Sequence, residues 1–155
     1  MTTTERSTNA PKDARGALEG LKVLDASRLL PAALCTQLLG DLGADILKVE
    51  EPGRGDYQRG FPPIGKVDSG TFLLCNRNKR SMTLNLKHEE VKRIFRELAA
   101  QSDVVVEGFR PGVMERAGLG PDVLLTRNPR LVITRISGFG QDGPYAQLPA
   151  SDTIL

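Results

Sequence analysis

Three cations crowded among asparagines, Asn76-Arg77-Asn78-Lys79-Arg80, run directly into an alternating segment, Ser81-Met82-Thr83-Leu84-Asn85-Leu86-Lys87. Cations held this close on a loop suit a multiply charged anion such as a phosphate or pyrophosphate. A solvated basic turn is the competing account, because charge runs commonly sit on exposed faces. A second segment, Gly138-Phe139-Gly140-Gln141-Asp142-Gly143, has the GxGxxG spacing and follows an apolar run. A dinucleotide site needs that spacing at the first strand-to-helix turn, where it opens a helix onto the pyrophosphate. Here Pro144 and Pro149 leave no room for such a helix, and the first turn, Ser27 to Pro31, has no glycine. The glycines therefore read as a loop beside a site, not as a nicotinamide or flavin cradle.

Nucleophiles are scarce. No G-x-S-x-G elbow is present, and Ser137 has no histidine in a recognisable arrangement. The single histidine, His88, stands at a helix start, where a capping or surface role is expected. Cys35 and Cys75 lie far apart without CxxC spacing, so with one histidine no zinc site is expected. Both read as small hydrophobes of a reduced, cytoplasmic protein. A net charge of +2 and 5% aromatic residues argue against nucleic acid, and no apolar run is long enough to cross a membrane.

The elements that must position these residues alternate. Leu21 to Ala26 reads as a strand, and Pro31 opens a helix in which Leu34, Leu38 and Leu42 share one face. Gly43 ends it and Asp45 to Glu50 forms the next strand, a unit long enough for a parallel crossover. A long loop from Pro52 to Gly70 follows, then a strand at Ser81 to Leu86. His88 to Gln101 carries Val91, Ile94, Phe95 and Leu98 at helical spacing. Asp103 to Glu107, with three consecutive valines, reads as a strand buried on both faces. Short helices at Pro111 to Ala117 and Pro121 to Thr126 precede a last strand at Leu131 to Ser137. This order predicts an α/β fold with a Rossmann-like, mostly parallel sheet and helices on both faces. Residues 1–19 are polar and are expected to be a disordered tail.

Four segments in order, Gly20 to Ser27, Asp41 to Glu50, Asn76 to Lys87 and Ile136 to Tyr145, resemble the family III CoA-transferases. That group includes formyl-CoA and carnitine CoA-transferases and the 2-methylacyl-CoA racemases. The resemblance runs from about Gly20 to Leu155, so 20–155 is expected to be the N-terminal part of the family's large domain. It implies transfer of CoA between an acyl-CoA and a carboxylic acid. Coenzyme A would then be a substrate, with no permanently bound cofactor or metal, and the full-length form would be an interlocked homodimer.

The resemblance also implies the contacts. CoA would meet Arg28, Leu30 and Pro31 after the first strand, and Leu84, Asn85, Leu86 and Lys87 after the basic segment. Further contacts would come from Gly108, Phe109 and Arg110, and from Arg116 in the short helix beyond. Phosphates need such cations, and Leu84 and Phe109 could line an adenine slot. Gly108 departs from the asparagine common in relatives. Asp152 matches an acidic family position and is the one catalytic candidate, although Ser151 stands where the racemase branch has histidine. The family nucleophile is an aspartate a few dozen residues beyond the position of Leu155, and Ser151 to Leu155 resembles the start of the next helix. The chain is therefore expected to be an N-terminal fragment without its nucleophile. A racemase-type enzyme and a non-catalytic CoA-binding remnant are the alternatives.

Overall fold

The computed structural model describes residues 16–150. Strand β1 (Lys22–Ala26) leads through helix α1 (Leu30–Asp41) into β2 (Asp45–Glu50). A 3-10 turn (Tyr57–Gly60) and helix α2 (Gly70–Cys75) precede β3 (Lys79–Thr83). Helix α3 (Glu89–Ala100), β4 (Val104–Glu107), the short helices α4 (Val113–Arg116) and α5 (Pro121–Arg127), and β5 (Val132–Arg135) complete the series. All five strands pair in parallel in the order β3-β2-β1-β4-β5. The predicted doubly wound α/β sheet is therefore correct. The order reverses at β1, where β2 and β4 flank it on either side, and this is the switch point at which such sheets open a crevice.

Adjacent strand residues serve opposite faces, as the pleat requires. Leu24 and Val105 join Phe95 of α3 and Leu124 of α5 in one core cluster. Their neighbours Val23 and Val106 join Ile46 and Ala32 of α1 in the other. Val105 and Val106 are thus buried on opposite faces, as expected, and Val104 is half-buried.

Several details differ from the sequence reading. The leucine stripe expected to be core faces outward: Leu34, Leu38 and Leu42 are 43%, 53% and 50% exposed. The buried face is Ala32, Ala33, Thr36 and Gln37, so the helix meets the sheet through small and polar groups. Strand β3 lies two residues earlier than expected, because Lys79 pairs with Ile46 and Thr83 with Glu50. Helix α2 starts where the expected loop ends, in a stretch to which the sequence reading gave no element; its signal is Ser69, whose hydroxyl accepts the Phe72 N–H at 3.0 Å. The expected tail also gives way early. Leu18 donates its N–H to the Leu42 carbonyl at 2.9 Å, and a side chain at Gly16 would collide with that carbonyl. Residues 16–19 therefore pack on the domain, while 1–15 lie outside the described residues. No helix among the described residues is long and apolar enough to cross a membrane.

Candidate functional site

A crevice of about 230 Å³ opens beside the C-terminal ends of β1 and β2. Its apolar wall is Ala26, Val49 and Leu84 on the sheet side and Val113, Met114 and Ala117 from α4 and its end. Arg28, Lys87, Glu50 and Glu51 supply charge, and Phe109 closes one side. Arg28 is pinned where it stands. Its guanidinium lies 5.3 Å from the Tyr57 ring centre and 5.4 Å from that of Phe109. It donates to the Tyr57 hydroxyl at 2.9 Å and pairs with Glu51 at 3.4 Å. Attraction to two aromatic rings, added to the hydrogen bond and the ion pair, holds the guanidinium in one place at the crevice.

The α1-facing side of the sheet changes character along the strands. Val23, Ile46 and Val106 are apolar, but two residues on from Val23 and Ile46 stand Asp25 and Lys48, 0% and 1% exposed. Asp25 accepts hydrogen bonds from Ser27 N (2.9 Å), Thr36 Oγ1 (2.6 Å), the Ser27 hydroxyl and Lys79 Nζ (3.2 Å). Lys48 Nζ donates to the Ser27 carbonyl at 3.1 Å and sits 2.9 Å from Asp56 Oδ2. Two buried acids thus face two buried lysines, the arrangement that makes buried charge tolerable. Burial lowers the Lys79 pKa, and Asp25 pulls it partly back.

Glu50 is a further buried acid. Burial pushes its carboxyl up, but hydrogen bonds from Arg59 and Ser81 and from the Asp56 backbone outweigh this and hold it at about 2. Each oxygen accepts twice: Oε1 from Arg59 Nη2 and Ser81 Oγ, Oε2 from Arg59 Nε and Asp56 N.

The basic segment proves to be structural. Arg77 pairs with Asp41 at 2.6 Å, Lys79 with Asp25, and Arg80 with both oxygens of Asp45 at 2.8 Å. None of the three lines the crevice: Arg77 and Arg80, whose side chains are 51% and 67% exposed, fit the solvated turn, and only the Lys79 side chain, 2% exposed, is internal. Of the residues expected to contact CoA, the crevice brings together Arg28, Leu84, Asn85, Leu86, Lys87 and Phe109. Leu30, Pro31, Gly108, Arg110 and Arg116 do not line it, and Arg116 folds back over Gly112. Gly108 has ordinary room for a side chain, with Ile136 O 3.8 Å and Ala32 Cβ 3.9 Å from where its Cβ would lie. Asp152 lies outside the described residues.

The Gly138 to Gly143 segment continues into turns without a helix up to residue 150. His88 caps α3 without a side-chain cap hydrogen bond, and both cysteines are free thiols. Among the described residues no cluster of three or more His, Cys, Asp or Glu could hold a metal. Sequence reasoning missed Tyr57, Glu50, Glu51 and the buried charges. Asp25 within Leu24-Asp25-Ala26, and Lys48 and Glu50 within an otherwise apolar strand, were the available signals.

The pattern of CoA-transferase family III matches residues 18–155. The chain is 52% identical over 133 residues to the succinyl-CoA–L-malate CoA-transferase beta subunit of Chloroflexus aurantiacus, covering 85% of this chain and 33% of that protein. It is 44% identical to the acetyl-CoA:oxalate CoA-transferase of Acetobacter aceti, covering 94% of this chain and 37% of that one. A crystal structure of a CaiB/BaiF family protein from Brucella suis superposes with a TM-score of 0.87 at 40% identity, over 90% of this chain and 38% of the other. The chain spans about a third of the length of the curated relatives it matches.

Proposed function

The chain belongs to CoA-transferase family III, and on that premise we propose that the crevice at the switch point binds the coenzyme A part of an acyl-CoA. The observation that carries this reading is the pairing of an apolar slot with the Arg28 and Lys87 cations, at the strand ends where α/β sheets bind ligands. Phe109 and Leu84 suit the adenine ring. Lys87 suits the phosphates. Residues 20–155 act as the N-terminal part of a CoA-binding domain. The activity of the whole protein is transfer of CoA from an acyl-CoA to a carboxylic acid. The acceptor class is a small dicarboxylic acid, because the Chloroflexus and Acetobacter relatives are named for malate and oxalate.

The transfer chemistry needs a carboxylate that attacks a thioester carbonyl, and the carboxylates of this crevice are poorly suited. Glu50 has both oxygens doubly engaged and low basicity, and Glu51 is paired with Arg28. The attacking group is therefore proposed to lie outside the described residues, and these residues bind and orient the coenzyme. Calorimetry with CoA and dephospho-CoA tests the site. CoA should bind more tightly, and Phe109→Ala and Lys87→Ala should each weaken it, the lysine by about 1.5–3 kcal/mol for a charge-assisted contact. Equal affinity for CoA in parent and both variants would sink the assignment.

A further inference from the structure

Leu29 has a backbone that side chains avoid. Its φ of 64° with ψ of −170° lies in a region used almost only by glycine. A leucine stays there only when its surroundings hold it. The hold is visible on both sides. Before it, Lys48 fixes the Ser27 carbonyl at 3.1 Å. Beside it, Asp56 Oδ1 accepts the Leu29 N–H at 3.2 Å, while the other oxygen of Asp56 lies 2.9 Å from Lys48 Nζ. The next residue, Tyr57, grips Arg28 through its hydroxyl and its ring. Two consecutive residues of the loop after β2 thus clasp two consecutive residues of the turn after β1.

We propose that Asp56 is a positioning residue for the coenzyme: anchored by Lys48, it holds Leu29 in its glycine-like conformation so that Arg28 faces the crevice. This rests on the crevice being the CoA site. Without the clasp the turn would relax toward ordinary leucine geometry and carry Arg28 away from the Phe109 ring. Only the fraction of molecules with Arg28 in place would bind, and the apparent affinity would fall by that fraction.

The test is a double-variant comparison of CoA binding to the 155-residue chain by calorimetry. Asp56→Ala should weaken binding about tenfold when Leu29 is present, through the lost competent population. In the Leu29→Gly background the same change should cost less than about threefold, because glycine adopts the conformation unaided. A merely structural aspartate would give the same loss in both backgrounds, and that result, or no loss in either, overturns the proposal. Should Asp56→Ala fail to fold, Asp56→Asn removes the charge facing Lys48 while keeping the shape, and the same two-background comparison decides. A parent chain that binds no CoA would instead overturn the site reading, and the positioning role with it.

Discussion

Arg77 and Lys79 are two residues apart in one basic motif, yet their surroundings make them different groups. Arg77 is half exposed and its pair with Asp41 is screened by water, whereas the Lys79 side chain is 2% exposed and bonds to Asp25, Ala33 O and Asn76. Arg77→Ala should therefore cost at most about 1 kcal/mol in urea unfolding. Lys79→Met should cost about 3 kcal/mol, because Asp25 keeps only Lys48, 4.0 Å away, as a cationic partner. Neither change should alter CoA affinity beyond its effect on folding, and a selective loss of binding in Arg77→Ala would restore the phosphate role. Glu50 gives a pH prediction with a definite sign. Its folded pKa of about 2 lies below the ordinary 4.5, so its stabilisation is complete above about pH 4.5 and is lost as pH falls toward 2. The parent should lose on the order of 3 kcal/mol over that window that Glu50→Gln does not lose. Parallel stability–pH curves for the two proteins would contradict this.

At the scale of elements, α1 shows how a correct helix can be given the wrong face. Leucines at four-residue spacing made a convincing core stripe, but the sheet beneath presents Asp25 and the Lys79 ammonium. Ala32, Ala33, Gln37 and Thr36, which bonds to Asp25, fit against that surface, and Leu39 packs beside the Ile46 cluster. The stripe leucines are left toward solvent, where contiguous apolar surface promotes association. Leu34→Ser with Leu38→Ser should change the unfolding free energy of a monomer by no more than about 0.5 kcal/mol each. Size-exclusion chromatography should show less self-association for the double variant than for the parent. A large drop in melting temperature would mean that the face is core after all. Strand β3 shows a related effect, since Lys79, its first residue, pairs with Ile46 and sends its side chain to Asp25 and the Ala33 carbonyl of α1.

For the whole molecule, the sheet delivers a crevice and its supporting charges, while the described carboxylates at that crevice are committed to arginines. Binding without an activated nucleophile does not lower the barrier to transfer. The 155-residue chain should therefore bind CoA but catalyse no exchange of labelled CoA into a panel of acyl-CoA thioesters. Robust exchange that vanishes in Asp152→Asn would assign the nucleophile to Asp152. A chain that neither binds nor exchanges would favour a remnant with no role for the crevice.

What the sequence by itself determined was the succession of the five strands with the helices between them, save α2 and the 3-10 turn before it, and the family. Periodicity in α3 and the valines of β4 depend on local chemistry, and the four ordered motifs carry the family resemblance in residue types alone. It also identified Arg28, Leu84, Asn85, Leu86, Lys87 and Phe109, which the fold does bring to one crevice. Tertiary structure alone decided the fate of the charges. Asp25, Lys48, Asp56 and Lys79 are spread over separate segments, and only the parallel pairing of β1, β2 and β3 places their side chains together. Burial then turned one cation of an apparent anion-binding motif, Lys79, into internal support, because a charge removed from water must find its partner inside the protein. The same pairing set which face of α1 was core, and that choice depends on what lies beneath a helix as much as on the helix itself.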